Sequence, residues 1–306
     1  MEPNLRIKYP IYTLDNQILL PAGSEMSLGK IDDLISTNRN TYSSITLLSY
    51  KSVQKDIIKF IKSVPSYSVI FGDDKQIASL MNQLGSVTLV SPLLDMLDYF
   101  KKYDFYTYRH HLLVWALSTL LATIMIDDYM DRLKEAESYP THDVGKICVP
   151  LDILLKQTPL TIKEYDLLKH HATVGYVLLR YYYQDKNKLA PIVARDHHER
   201  RDGSGYSRGI NLDNRFLEIV IISDIYDALI STRPYRHISF DNRTACEKIT
   251  KMADENKLHW DVVKCLIALN RKERPHFTEC NVSSEKRGTP PTLNSYGIRI
   301  PVNPSV

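Results

Sequence analysis

The stretch Ile219-Val220-Ile221-Ile222-Ser223-Asp224-Ile225-Tyr226-Asp227-Ala228-Leu229-Ile230 decides the fold. Read as a helix it has almost no polar face, so other elements must enclose it on all sides. Two carboxylates interrupt it. Asp224 and Asp227 stand three residues apart and project from one side. A carboxylate buried there costs several kcal/mol unless it is paired, hydrogen-bonded or bound to metal. Ion pairs with Arg233 and Arg236 would meet that need as well as a metal would, and this segment alone does not separate the two.

Outward from this helix the pattern stays helical. Ser91-Pro92 opens a helix with proline in its first turn, and 104–125 reads as a helix that is apolar nearly all round. Further helical stretches fall at 151–155, 161–179, 190–198, 216–230, 244–255 and 260–268, and Thr161 with Glu164 forms a capping-box pair. The pattern predicts a mainly α chain whose C-terminal part, 89–274, is a helical bundle. Residues 1–88 read differently, as a small α+β accessory or regulatory domain. Asp15-Asn16 sits between the short extended runs Ile7–Ile11 and Gln17–Pro21, a hairpin signal. Ser27 is an N-cap, 46–48 is a strand, and helices lie near 53–61 and 75–84. The proline-rich 275–306 is expected to be an extended or disordered tail.

Composition narrows the class. In 306 residues, 43% are hydrophobic and 25% charged, enough to bury a core. Lys plus Arg number 39 against 36 acids, a net charge of +3, too mild for a binder of nucleic-acid polymers or of membrane surfaces. The longest apolar run, 112–126, falls short of the ~20 residues of a membrane helix. The N-terminus has no basic or apolar export region, so a soluble, cytoplasmic protein is expected. The four cysteines are widely spaced with no C-x-x-C, against zinc ribbons or a disulfide framework.

Histidine is distributed unevenly: of ten, seven lie between His110 and His198. Each His pair alone, or the His142-Asp143 dipeptide alone, more often marks a solvated loop or helix end. Together, five helical segments each deliver a His or Asp among apolar or Gly-rich neighbours, and a bundle core so lined is a known way to build a dinuclear site.

The residues also resemble a known family. H-D-V-G-K at 142–146, H-H-E-R-R-D-G-S-G-Y at 197–206 and D-I-Y-D-A-L-I-S-T-R-P-Y-R at 224–236 are similar, in this order, to the signatures of the HD-GYP family. Y-T-Y-R-H at 106–110 and L-T-I-K-E-Y-D-L-L-K-H-H-A-T-V-G at 160–175 resemble two further conserved segments of it. The resemblance covers roughly 90–270. It implies an HD-type bundle and a metal-dependent phosphodiesterase that hydrolyses cyclic di-GMP to pGpG or GMP, with water activated between two cations. It implies one metal on His110, His142, Asp143 and Asp224, and a second on His171, His197 and His198, with Asp143 bridging. Mixed His and carboxylate ligation suits iron or manganese. By the same resemblance Lys146 contacts phosphate and assists the leaving oxygen, Arg233 and Arg236 grip the other phosphate, Tyr206 touches the ligand, and Asp227 orients a phosphate-binding partner.

The departures are specific. Ser207 replaces the proline of G-Y-P, in a loop, 203–207, that the family uses to bind partners such as diguanylate cyclase domains; the N-terminal domain is the other candidate docking surface, and a homodimer has no heptad to support it. Glu137–Thr141 replaces an apolar helix, and Pro140 disturbs the approach to His142. Two other functions stay open: a cyclic di-GMP receptor with weak or no catalysis, and an HD-type hydrolase of a hybrid cyclic dinucleotide. Tyr106 stands where members with a third metal carry Glu, which implies two metals. Tyr106→Glu is expected to raise the metal content per chain by about one, counted by elemental analysis; an unchanged count would remove this explanation of the position.

Overall fold

The computed structural model describes residues 5–233, 238–283, 285–292 and 299–300. Arg236 lies outside the described residues. At the centre, helix Phe105–Met125 crosses helix Arg215–Ile230, and each begins with a side-chain cap. Asp104 accepts from the Thr107 N–H and hydroxyl, and Asn214 accepts from the N–H groups of Phe216 and Leu217. Such caps satisfy the orphan donors of a helix start. Both helices are apolar nearly all round because both are enclosed: Ser91–Tyr103, Tyr129–Ser138, Asn242–Asp254 and Trp260–Leu269 surround them.

The second half of the bundle is helix His171–Tyr183, which packs on helix Ala190–Asp196 and on the short 3-10 helix Val144–Cys148. The sequence suggests one helix over 161–179. The chain instead forms Ile162–Lys169, opened by the expected Thr161–Glu164 capping box, and restarts at His171. The break at His170 lets His170 and His171 face different ways. Pro140 does not unseat His142 either. Helix Tyr129–Ser138 continues into a 3-10 turn, Tyr139–Thr141, with Pro140 in its first turn, where a missing N–H costs nothing.

The N-terminal region is built of small antiparallel pairs and helices. Ile11–Tyr12 pairs with Ile18–Leu20, and Asn16 takes the left-handed conformation at φ 63° that the turn requires. The expected strand at 46–48 is displaced: Ser44–Thr46 pairs with Thr88–Val90, and Leu47–Ser49 is a 3-10 turn. Helices Leu28–Thr37, Val53–Ser63, Pro65–Phe71 and Asp74–Leu84 complete it. One continuous core joins this region to the bundle, from Ile7 and Ile11 to Leu266. The start of the tail is anchored rather than loose: Phe277 and Cys280 are buried, and Arg299–Ile300 pairs with Leu160–Thr161. No helix among the described residues is long and apolar enough to cross a membrane.

Two glycines set how closely the site-bearing segments approach. A Cβ on Gly145 would lie 2.0 Å from the His171 carbonyl oxygen and 2.5 Å from the Gly175 nitrogen. These are backbone atoms and cannot swing aside, so Gly145 lets the turn carrying His142 and Asp143 sit directly on the helix carrying His171. Gly205 is as tight, with a Cβ 2.4 Å from the Glu199 Cα. Gly145→Ala is expected to destabilise the fold by about 3 kcal/mol or more in denaturant titration. Gly29→Ala, at an open helical position, is expected to be neutral or to stabilise by about 0.5 kcal/mol. Equal effects of the two would remove the close-approach argument.

Candidate metal centre

The buried Asp143 carboxylate is the hub of the site. Its Oδ1 lies 3.1 Å from His171 Nε2 and 3.5 Å from His197 Nε2. Its Oδ2 lies 3.5 Å from His110 Nε2 and 3.6 Å from His142 Nε2. Each oxygen therefore faces one pair of imidazoles. Asp224, one turn before Asp227 on its helix, places Oδ1 3.0 Å from His110 Nε2. Two groups of potential ligand atoms share Asp143: with His171, His197 and His198 on one side, with His110 and His142 on the other, the atoms of each within 4.8 Å of one another.

The opposite edge of each ring settles which nitrogen is available. His142 Nδ1 lies 3.0 Å from the Tyr139 carbonyl, His171 Nδ1 2.6 Å from that of Leu168, and His197 Nδ1 2.9 Å from that of Ala194. A carbonyl only accepts, so Nδ1 carries the proton in all three neutral rings and Nε2 keeps its lone pair. The Nε2 atoms converge: those of His142 and His110 are 3.4 Å apart, of His171 and His197 3.3 Å, and of His198 and His171 3.2 Å. Asp143 Oδ1 is buried without a hydrogen-bond partner. An orphaned carboxylate oxygen among facing imidazole lone pairs is the donor set a divalent cation satisfies, so these residues fit a metal.

Electrostatics point the same way. Burial drives His142 down to about 3 and also lowers His171 and His198, so these rings are neutral at physiological pH. Burial opposes ionisation of Asp143, but the adjacent Lys146 ammonium outweighs it and holds the carboxyl well below its usual range. His110 differs. Burial and Arg233 disfavour its charge, yet hydrogen bonds to Asp224 and Asp227 hold its pKa above the ordinary value. A metal on its Nε2 would displace that proton.

Around the hub lie the supporting groups. Asp227 accepts from His110 Nδ1 at 2.6 Å, from the Tyr67 hydroxyl at 2.8 Å and from the Ser231 hydroxyl at 2.9 Å. This carboxylate–histidine arrangement fixes ring orientation and raises ligand basicity. Lys146 pairs with Asp143 Oδ2 at 2.5 Å. Tyr206 stacks on His198, with ring centroids 4.5 Å apart. Arg233 is buried on the outer edge of His110, 3.0 Å from Nδ1 and 3.5 Å from Asp227 Oδ2, so the ion pair suggested for Asp227 exists while Asp224 joins the cluster. His170 turns away and bonds the Tyr9 carbonyl at 3.1 Å, and His111 is packed beside Phe100. Sequence reasoning misses Tyr67 and Ser231, which carry no motif. A tyrosine 160 positions from its partner gives no local signal.

Residues 115–262 match the family described as the HD domain. A cyclic di-GMP phosphodiesterase of Thermotoga maritima is 36% identical over 150 residues, 48% of this chain and 40% of that protein. A cyclic di-GMP phosphodiesterase of Pseudomonas aeruginosa is 33% identical over 194 residues, 62% of this chain and 45% of that one. A 3′3′-cGAMP-specific phosphodiesterase of Vibrio cholerae is 32% identical over 141 residues, 43% and 27% respectively. The chain spans less than half the length of these curated relatives. Residues 115–262 are thus similar to the HD domain, and the His/Asp cluster lies in the part of the chain that resembles these phosphodiesterases.

Asp227→Asn keeps the shape beside His110 but removes the charge that orients it. It is expected to weaken metal binding about 10- to 100-fold in a Mn²⁺ titration. An unchanged affinity would show that Asp227 does not act through His110.

Proposed function

We propose that the chain is a metal-dependent phosphodiesterase that hydrolyses the 3′–5′ phosphodiester bonds of cyclic di-GMP, giving pGpG or GMP. The observation that carries this reading is the shared Asp143 carboxylate, one oxygen toward His171 and His197 and the other toward His110 and His142. His110, His142, Asp143 and Asp224 would hold one divalent cation, and Asp143, His171, His197 and His198 a second, iron or manganese. Bound there, the two cations would lower the pKa of water and neutralise phosphate charge.

The chain's own groups do the rest. Asp143 and the five histidines would keep the centre rigid and dry, because all but His198 are buried and three of the rings are pinned by backbone carbonyls. In the reaction water oxygen adds to phosphorus, the bond from phosphorus to the 3′ oxygen breaks, and that oxygen takes up a proton. Lys146, whose ammonium pairs with Asp143, would contact phosphate and donate to the leaving oxygen. Tyr206 contacts the ligand beside His198. Arg233 and Asp227 support His110 from behind, and Arg236 is assigned to the second phosphate by resemblance alone. Residues 1–88 serve as accessory region, 89–274 as the catalytic part and 275–306 as the tail. The exposed tip of loop 203–207 remains the proposed contact for a signalling partner.

The similarity to a cGAMP-specific enzyme supports one second reading, a hybrid cyclic dinucleotide as substrate. The test is metal content and turnover on the same anaerobically purified sample, with both cyclic dinucleotides. About two metals per chain and clear hydrolysis are expected, and His142→Ala and Asp143→Ala should each abolish turnover. Near-native turnover in either variant would refute the assigned site. Two metals with tight binding but no turnover would make the protein a receptor.

A further inference from the structure

A groove of about 620 Å³ opens beside the metal cluster, and its composition is unlike that of the cluster. One wall is the helix end bearing Asp166 and Lys169, another is Tyr206 and Ser207, and the third is Arg6, Ile7 and Lys8, from the end of the N-terminal strand Leu5–Arg6 and the bend that follows it. Tyr206 belongs to both places: it lines the groove and stacks on His198. The groove is therefore contiguous with the cluster across that ring. The Lys169 ammonium lies 5.7 Å from the Tyr206 ring centroid on this side.

The groove carries excess positive charge. Asp166 pairs with Lys169 at 3.2 Å, which leaves the cations of segment 6–8 in excess. Among the described residues neither Arg6 nor Lys8 has a carboxylate within ion-pair distance, and both are exposed. Their backbone is nonetheless fixed. Ile7 between them is fully buried, its N–H donates to the Ser24 carbonyl at 2.8 Å, and the neighbouring Tyr9 carbonyl accepts from His170. A guanidinium and an ammonium on backbone tied down in this way, beside an aromatic ring, suit a phosphate with its nucleoside. The volume is that of a small-molecule site.

We propose that Arg6 and Lys8 also bind the phosphate of the substrate half that is not being cleaved, the one that resemblance assigns to Arg236, so that segment 6–8 is a wall of the substrate site. This rests on the phosphodiesterase reading and deepens it: a substrate with one phosphodiester fills only the cluster, and a cyclic dinucleotide fills cluster and groove.

The test uses the full-length, Mn²⁺-loaded chain, the double variant Arg6→Ala/Lys8→Ala, and Lys8→Glu. Cyclic di-GMP is compared with bis(p-nitrophenyl) phosphate, whose single phosphodiester does not reach the strand. The double variant is expected to raise KM for cyclic di-GMP about tenfold with little change in kcat, and Lys8→Glu to act in the same direction. The small phosphodiester should be cleaved with parameters within about twofold of native. An unchanged KM, or parallel losses on both substrates, overturns the proposal while the phosphodiesterase reading stands. If the native protein binds cyclic di-GMP without cleaving it, the same variants should weaken Kd about tenfold, and an unchanged Kd overturns the proposal. A native protein that neither binds nor cleaves it refutes the phosphodiesterase reading, and this one falls with it.

Discussion

The structure depends on one buried carboxylate. Asp143 is almost wholly excluded from water and yet held in its charged form by the ammonium of Lys146. Burying such a charge without partners costs several kcal/mol, so the surrounding elements must keep their partners in register. Three of the four histidines around it are tied back by backbone carbonyls, and the fourth, His110, by Asp227. Each tie forces the ring's other nitrogen inward. Backbone geometry thus determines the tautomers, and the tautomers make the centre a metal site rather than a histidine-rich core.

Register is enforced by packing as much as by hydrogen bonds. Gly145 lets the Asp143 turn rest on the His171 helix at backbone contact distance, and Gly205 seats the following loop against the backbone at 198–200. The bundle helices around them are apolar nearly all round, so a shift of any one would expose several buried side chains at once. The N-terminal region joins this network in two places. Tyr67 bonds to Asp227, behind His110, and the first strands form a wall beside Tyr206. An accessory region so placed can influence the centre without contributing a ligand to it.

Much of this was legible in the residues. The apolar run 219–230 with its two acids, the clustered histidines and the motif order point to a helical bundle with a metal centre, and the structure brings His110, His142, Asp143, His171, His197, His198 and Asp224 together. Errors fell where local pattern is silent or misleading. Hydrophobic periodicity runs through His170 without a break, while the chain changes direction there. Pro140 reads as a disruption, but the first turn of a 3-10 segment accommodates it.

By itself the sequence determined the helical class, the ligand residue types and their order, because periodicity and side-chain chemistry are local properties. Only the tertiary structure decided which histidine of each pair faces inward, that Asp143 offers one oxygen to each group, and that Tyr67 stands behind His110. It also decided that Arg233 lies on the outer edge of His110. These are relations among segments far apart in the chain, set by close packing and by the partners a buried charge requires, and no window of sequence contains them.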